Sequence, residues 1–131
     1  MSSANKLKEK NARRLRRKRH IRHSVFGKAD NPRLSVFRSH QHISCQVIDD
    51  FRGVTLAAAS TQGKDLRAAL AAPSGKIAGG NAKAAQVVGK AIAEKVKSLG
   101  IARVQFDRNG YRFHGRIKAL VEAARQAGLK V

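Results

Sequence analysis

The feature that most constrains this sequence is a block of positive charge at its N-terminus. Residues 1–23 carry ten Lys and Arg and one acidic residue, Glu9, which gives a net charge of +9. The few apolar residues cannot form a stripe that packs on a core, and like charges three and four apart oppose an isolated helix. We therefore expect this segment to be disordered when free and helical only where phosphates neutralise it.

The remainder of the chain is also basic. Its 131 residues include 28 Lys and Arg against 8 Asp and Glu, a formal net charge of +20. This length suits one domain with a tail, because two domains would each need a core of their own. The charge predicts an acidic partner, and nucleic acid is favoured because the N-terminal block lacks the apolar face of a membrane-surface helix.

Membrane insertion and secretion are not expected. No apolar run approaches the roughly 18 residues of a spanning helix, and no apolar signal segment follows the basic start. The single cysteine, Cys45, excludes an internal disulfide and a multi-cysteine zinc motif, and it fits a reducing compartment. The sequence therefore predicts a cytoplasmic protein.

Three strands separated by short turns are predicted at 33–39, 42–49 and 54–59, because apolar and polar residues alternate there. Phe37 falls on the opposite side of the first strand from the apolar residues around it. A turn that ends at Gly53 separates the second and third strands. The residues predicted to face the core are Leu34, Val36, Ile43, Cys45, Val47, Val54, Leu56 and Ala58.

Two helices and a fourth strand follow. Apolar residues at helical spacing predict a helix from an N-cap at Asn81 to Ser98, with Leu99 on its buried face and Gly100 as the stop. A strand is predicted at 101–106 and an amphipathic helix at 115–127. Between the third strand and the first helix, residues 61–80 are predicted to form a mobile loop with a short helical piece at 65–71.

This order predicts an α/β two-layer domain of βββαβα type with a mixed four-stranded sheet, preceded by a basic N-terminal tail. The helix between strands three and four permits a right-handed crossover that lays strand four parallel to strand one. The helices then cover one face of the sheet and leave the other open for a partner. We assign residues 1–32 to a basic RNA-binding extension with its linker and 33–131 to the globular domain, and we expect no homo-oligomer.

The acidic residues do not indicate catalysis. Asp49, Asp50 and Asp107 are the only carboxylates near strand ends, whereas a two-metal nuclease needs several that converge on a pair of ions. An Asp before a Gly turn is more typical of a side chain that binds its own backbone. We predict no catalytic residue.

Histidine and cysteine offer no metal or nucleophile site. His20 with His23, and His40 with His42, could form metal pairs, but no second pair with Cys spacing completes four ligands. Cys45 alternates with buried positions, and no His is placed by sequence to activate it. The histidines are interpreted as phosphate-facing, Cys45 as a small buried residue, and no metal or cofactor is predicted.

The loop at 106–116 has the composition of an RNA-binding element. Arg binds phosphate, an aromatic ring stacks on an unpaired base, and the N–H groups of a helix N-terminus bind an anion. We expect Tyr111 to offer such a ring and Phe113 to anchor the following helix in the core. The basic and aromatic residues of this loop are Arg108, Tyr111, Arg112, Phe113, His114 and Arg116.

The candidate RNA-binding residues are therefore Lys6, Lys8, Lys10, Arg13, Arg14, Arg16, Arg17, Lys18, Arg19, His20, Arg22, His23, Arg33, Arg38, His40, His42, Arg52, Arg108, Tyr111, Arg112, His114 and Arg116.

The same loop carries a family resemblance. The sequence FDRNGYRFHGRIKALVEAARQAGLKV closely resembles the C-terminal signature of the bacterial large-subunit ribosomal proteins numbered eighteen. RLSVFRS, HISCQVIDD, VTLAAAS and VGKAIAEKVKSLGI match that family in the same order, so the resemblance runs from about Arg33 to Val131. Two positions depart from the family, which usually has an aromatic residue at Ser44 and Ala at Cys45.

The resemblance implies a fold of the translational-machinery-component type. It also implies a non-enzymatic protein of the cytoplasmic large ribosomal subunit that binds 5S rRNA in the central protuberance and helps attach it to large-subunit rRNA. The implied partners are 5S rRNA, large-subunit rRNA and neighbouring large-subunit ribosomal proteins.

Two other classes are less compatible with the sequence. The predicted strand order is similar to ribonuclease-H-like folds, but those need carboxylates on the strands where this chain offers Arg33, Arg38 and Arg103. A DNA-packaging protein would share the charge but has no use for a specific loop of Arg and aromatic residues.

Overall fold

The computed structural model describes residues 3–22, 25–63, 66 and 81–131. Those residues form three helices and one four-stranded sheet. In chain order the elements are α1 (Ser3–Arg22), β1 (Arg33–Arg38), β2 (Ile43–Asp49), β3 (Val54–Ser60), α2 (Ala82–Ser98), β4 (Gln105–Asp107) and α3 (Arg116–Gln126).

The sheet has the order β3-β2-β1-β4. β1 and β2 pair antiparallel, as do β2 and β3, whereas β4 lies parallel to β1. The predicted parallel placement of β4 beside β1 is therefore confirmed, and the fold is the mixed α/β arrangement that the sequence indicates.

The fourth strand is shorter than predicted and begins later in the chain. It begins at Gln105 rather than at residue 101, because the preceding backbone pairs with the C-terminus. The Val104 N–H donates to the Lys130 carbonyl oxygen at 2.9 Å, and the Lys130 N–H donates to the Ala102 carbonyl oxygen at 3.1 Å. The two paired segments are distant in sequence, so no local pattern of apolar residues could predict this pairing.

The core lies between one face of the sheet and the helices α2 and α3. β1 and β2 present the predicted alternate residues to it, and both strands are therefore confirmed. Cys45 is buried, and burial raises the pKa of its thiol to about 12. The interpretation of Cys45 as a small buried residue is confirmed, because such a thiol is not a nucleophile at neutral pH.

The third strand changes phase part of the way along. Val47 pairs with Ala57 but Ile48 pairs with Thr55, so Leu56 is the extra residue of a β-bulge. Beyond the bulge Ala59 is buried and Ala58 is exposed. The prediction that Ala58 faces the core is wrong, because a strict two-residue period cannot anticipate an inserted residue. Val54 lies before the bulge, opposite Asp49 at the end of the strand, and is 44% exposed instead of buried.

Helix α2 begins as predicted. The Asn81 side chain accepts a hydrogen bond from the Ala84 N–H at 2.8 Å, which satisfies one free donor of the first turn. Its Gly89 lies against the Leu120 carbonyl of α3, so a Cβ there would collide with that backbone. The helix ends before Gly100, whose φ of +80° favours glycine. Leu99, predicted to be buried, is 54% exposed because it follows the last helical turn.

The N-terminal segment differs from its sequence-based prediction. Residues expected to be disordered without RNA form the twenty-residue helix α1, none of whose residues is fully buried. The physical reason is tertiary contact, because side chains of α1 bind the loop at 108–116, as described below. The charge pattern alone does not reveal such partners.

Parts of the predictions lie outside the described residues. These are His23, the short helical piece at 65–71 apart from Leu66, and most of the loop at 61–80. Across the residues that are described, no helix combines the length and the apolar character needed to cross a membrane.

Candidate nucleic-acid interface

Helix α1 is fixed to the loop formed by residues 108–116, which we call the arginine loop. Arg17 Nε donates to the Gly110 carbonyl oxygen at 3.0 Å, and the guanidinium carbon of Arg14 lies 4.4 Å from the centroid of the Tyr111 ring. Gly110 has a φ of +78°, and a Cβ there would collide with the Arg14 carbonyl oxygen. The helix backbone therefore rests directly on a glycine of the loop.

Tyr111 is a structural residue of this junction. Tyr111 is only 8% exposed. Its ring centroid also lies 5.0 Å from the guanidinium carbon of Arg38, and its hydroxyl donates to the Arg38 carbonyl oxygen at 3.2 Å. The expectation that Tyr111 offers an open face to an unpaired base is wrong for this structure. Two arginines, Arg14 and Arg38, hold that ring by cation–π contact instead.

Guanidinium groups are concentrated around Tyr111. Arg116 Nη1 donates to the Ser39 carbonyl oxygen at 2.8 Å, and burial together with the neighbouring charge of Arg38 lowers the pKa of Arg116. Within the described residues no carboxylate pairs with Arg14, Arg38 or Arg116. The buried Nε of Arg14 also has no hydrogen-bond partner there. Like charges held this closely are stabilised when an anion binds beside them.

The arginine loop is tied to the edge of the sheet. Asp107 accepts from the Asn109 N–H at 2.9 Å, and Asn109 Nδ2 donates to the Val36 carbonyl oxygen at 2.9 Å. Arg108 Nη1 donates to the Tyr111 carbonyl oxygen at 3.2 Å, which closes the turn. The loop is thus a preformed element, and the side chain of Asp107 stabilises the turn within it.

The distal part of the loop is open to solvent. Arg112 and His114 are exposed, so both side chains are accessible to a partner. Phe113 is 41% exposed, and its ring packs edge-on against Phe106 with centroids 5.9 Å apart. The expectation that Phe113 enters the core is wrong, because it precedes the helix and packs on Phe106 at the surface, whereas Ile117 is the first residue of α3 that is buried.

Arg33 forms ion pairs with carboxylates and is mostly shielded from solvent. Its Nε and Nη1 lie 3.0 Å from carboxylate oxygens of Asp50 and Asp107, and its side chain is 13% exposed. Burial acts to lower the pKa of Arg33, but the hydrogen bonds that Arg33 donates to the two carboxylates, together with their charges, outweigh it and the pKa is raised. Arg33 is therefore misassigned by the sequence analysis, because nothing local in the sequence indicates the two carboxylates.

Asp50 is the centre of the same network. The hydrogen bond from Arg33 is the largest influence that lowers its pKa to about 2, helped by the Gly27 N–H, which donates to it at 2.7 Å. Arg22 Nη1 also reaches it at 3.3 Å. Asp49 accepts from the Phe51 N–H at 3.0 Å, so its predicted backbone role is confirmed.

The other predicted site residues lie around these two centres. His42 Nδ1 lies 3.0 Å from Thr61 Oγ1, His40 is exposed, and Arg52 is 70% exposed with its Nε 3.5 Å from Asp49. Along α1, Arg14, Lys18 and Arg22 are half-buried. The remaining candidates on α1 are exposed: Lys6, Lys8, Lys10, Arg13, Arg16, Arg17, Arg19 and His20.

The face of the sheet opposite the helices is open, as predicted. A shallow cavity of about 410 Å³ there is lined by Ser35, Phe37, Ser44, Gln46 and Asn109. Phe37 is 54% exposed beside it, opposite Ser44 on the neighbouring strand. Phe37 lies on the other face of β1 from the buried residues. This feature of the sequence could have identified Phe37 as a candidate contact residue.

Metal binding has no support in the part of the chain that the structure describes. No group of three His, Cys, Asp or Glu side chains there could hold an ion. The three aspartates near the strand ends are instead held by arginines and backbone N–H groups.

Comparison with known proteins accounts for nearly the whole chain. A family model described as ribosomal L18 of archaea, bacteria, mitochondria and chloroplasts matches residues 8–131. The large ribosomal subunit protein uL18 of Pseudothermotoga lettingae is 50% identical over 125 residues, which cover 95% of this chain and 98% of that protein. The proteins of the same name from Bacillus cytotoxicus and Synechococcus sp. are 51% and 52% identical, covering 93% and 88% of this chain and 95% and 91% of theirs. The chain therefore belongs to the ribosomal L18 family.

Proposed function

We propose that this protein is a structural constituent of the large ribosomal subunit that binds 5S rRNA and helps attach it to the large-subunit rRNA in the central protuberance. Its other partners are neighbouring large-subunit ribosomal proteins in the cytoplasmic ribosome. Membership of a ribosomal protein family agrees with a non-enzymatic role.

The observation that carries the proposal is the junction between α1 and the arginine loop. Arg14 and Arg17 join a helix rich in Lys and Arg to a loop whose Arg112 and His114 are exposed. The two elements thereby form one continuous basic surface. A folded RNA presents phosphates at fixed spacing, and a preformed surface binds it without first ordering a loop.

The cluster around Tyr111 supports an anionic partner in particular. Arg14 and Arg38 both lie on the Tyr111 ring, and burial together with the charge of Arg38 disfavours the charged form of Arg116, so this arrangement of like charges raises the free energy of the protein. A phosphate at this place would accept hydrogen bonds from guanidinium donors and offset that repulsion. Residues 1–32 then act as the RNA-binding extension, with α1 placed by the globular domain.

The experiment compares the affinity of the protein for 5S rRNA and for duplex DNA at matched salt. A ribosomal protein of this kind binds 5S rRNA the more tightly of the two, because a shaped surface selects a folded RNA beyond its charge. Equal affinities would contradict the proposal and favour a packaging protein that reads charge alone. Footprinting of 5S rRNA with the full chain and with a chain lacking residues 1–23 then locates the contacts of α1.

A further inference from the structure

Two exposed phenylalanines form a pair at the opposite end of the sheet from the arginine loop's tip, between the linker and the turn that joins β2 to β3. Phe26 is 45% exposed and Phe51 is 71% exposed. Their rings meet edge to face, with centroids 5.0 Å apart and an interplanar angle of 88°. In an edge-to-face pair the edge of one ring covers one face of the other. The remaining faces of the two rings are therefore open to contact by another aromatic group.

The pair is held in place by the backbone beneath it. The Gly27 N–H donates to Asp50 Oδ2 at 2.7 Å, and the Asp50 N–H donates to the Gly27 carbonyl oxygen at 3.0 Å. Phe26 precedes Gly27 and Phe51 follows Asp50, so these bonds fix the spacing of the two rings. Gln105 Nε2 donates to the Phe26 carbonyl oxygen at 2.7 Å and adds a third support.

Two exposed cationic side chains flank the pair. Arg52 follows Phe51 directly and is 70% exposed, and Lys28 is exposed in the turn that begins after Gly27. Both arginines near the rings are paired with carboxylates. Arg22 lies 3.3 Å from Asp50 beneath the rings. Arg52 Nε lies 3.5 Å from Asp49 but leaves most of its side chain exposed. Exposed rings that are fixed in place and flanked by Arg and Lys have the composition of a base-stacking site on single-stranded nucleic acid.

We propose that Phe26 and Phe51 form a stacking site for an unpaired base of ribosomal RNA, with Arg52 and Lys28 binding the adjoining phosphates. The inference rests on the proposed function, because a ribosomal RNA supplies both the unpaired base and the phosphates. It adds a contact that recognises single-stranded RNA, whereas the surface of α1 and the arginine loop binds phosphates.

The absence of Trp from the chain allows a direct test. In Phe51→Trp the introduced indole is the only one, so its fluorescence reports on this site alone. The probes are a short unstructured RNA and the same strand annealed to its complement. Leu99→Trp is the matched control, because Leu99 is 54% exposed just after the end of α2 and has no aromatic partner among the described residues. Melting curves confirm that both variants are folded.

Stacking requires an unpaired base, whereas charge alone favours the duplex. We expect the unstructured RNA to quench the indole of Phe51→Trp strongly and the duplex to leave it nearly unchanged, with neither affecting Leu99→Trp. In a second measurement, Phe51→Leu keeps an apolar side chain without the ring. It is expected to weaken binding of the unstructured RNA by about fivefold, the lower bound for one stacked base, and to leave duplex binding unchanged.

Equal quenching by the two RNAs, no quenching, or an unchanged affinity of Phe51→Leu would overturn the stacking site. These results are distinguishable from failure of the proposed function, which is measured separately as the preference of the parent protein for 5S rRNA over duplex DNA. If that preference holds while the indole does not distinguish the RNAs, only the stacking site is refuted.

Discussion

Arg17 and Gly110 are 93 residues apart in sequence, yet Arg17 Nε donates to the Gly110 carbonyl oxygen at 3.0 Å. This bond and the Arg14 contact with Tyr111 place helix α1 against the globular domain. A segment that charge repulsion would leave without structure thereby acquires a fixed direction relative to the sheet.

Substitution of Gly110 should release α1. In Gly110→Ala the new Cβ meets the Arg14 carbonyl oxygen, and the φ of +78° strains any residue except glycine. We expect a change in the fluorescence of the single Tyr, which lies beneath Arg14, and a loss of about fivefold in 5S rRNA affinity, as one side-chain hydrogen bond contributes roughly 1 kcal/mol.

Gly100→Ala is the control for this variant. Gly100 has a similar φ of +80°, but a Cβ there has nothing within 4 Å. It carries the same backbone strain without the collision with α1. If both variants lose the same affinity, strain and not the position of α1 explains the effect.

The network at Asp50 predicts a specific pH dependence. The pKa of Asp50 is lowered to about 2 in the folded protein, compared with about 3.9 for an unperturbed Asp. A lowered carboxylate pKa stabilises the fold above the unfolded value and loses that contribution as the pH falls through the folded one. The stability difference between the parent protein and Asp50→Asn should therefore be largest near neutral pH and shrink between about pH 4 and pH 2.

Chemical unfolding of both proteins across this range measures the difference. Asp30→Asn serves as the control, because the Asp30 side chain is 75% exposed and lies 3.5 Å from the exposed Arg103. It should have little effect at any pH, since exposed ion pairs contribute little. A constant gap between Asp50→Asn and the parent would refute the assignment of Asp50 as the stabilising group.

The isolated N-terminal segment should lack the helix that the full chain has. A peptide of residues 1–23 has no Gly110 or Tyr111 to bind, and its like charges repel. Circular dichroism should show little helix in low salt and a gain on addition of RNA. A free peptide that is already fully helical would mean that the domain is not needed to hold α1.

Arg112 should contribute more than its charge. It is exposed on the arginine loop, and a planar guanidinium binds two phosphate oxygens or stacks on a base, which an ammonium cannot do. Arg112→Lys should weaken 5S rRNA binding several-fold and leave binding of nonspecific RNA unchanged. Arg103→Lys, another exposed arginine, should change neither affinity. If the two substitutions changed the affinity for 5S rRNA equally, the guanidinium of Arg112 would have no specific role in binding.

The parts of the fold that local pattern determines were predictable. Alternation in β1 and β2 identified the buried residues because one face of each strand meets the core, and Asn81 marked a helix start because its side chain binds a nearby N–H. The bulge at Leu56 was not predictable, because it depends on how β3 pairs with β2.

The site was less predictable than the fold for the same physical reason. Composition identified the basic residues, but the partners of each one are distant in sequence. Arg33 binds Asp50 and Asp107, so it is internal, and Tyr111 is enclosed by Arg14 and Arg38. An arginine that binds RNA and one that binds a carboxylate have the same local sequence signal.

The most direct test of the account is the salt dependence of 5S rRNA binding by the full chain and by a chain lacking residues 1–23. Each neutralised phosphate releases counterions, so the slope of log affinity against log salt counts the phosphate contacts. The account predicts that the deletion weakens binding and flattens the slope, because the exposed Lys and Arg of α1 are removed. If affinity and slope were both unchanged, α1 would be solvated charge, and the proposal that it binds the RNA would be contradicted.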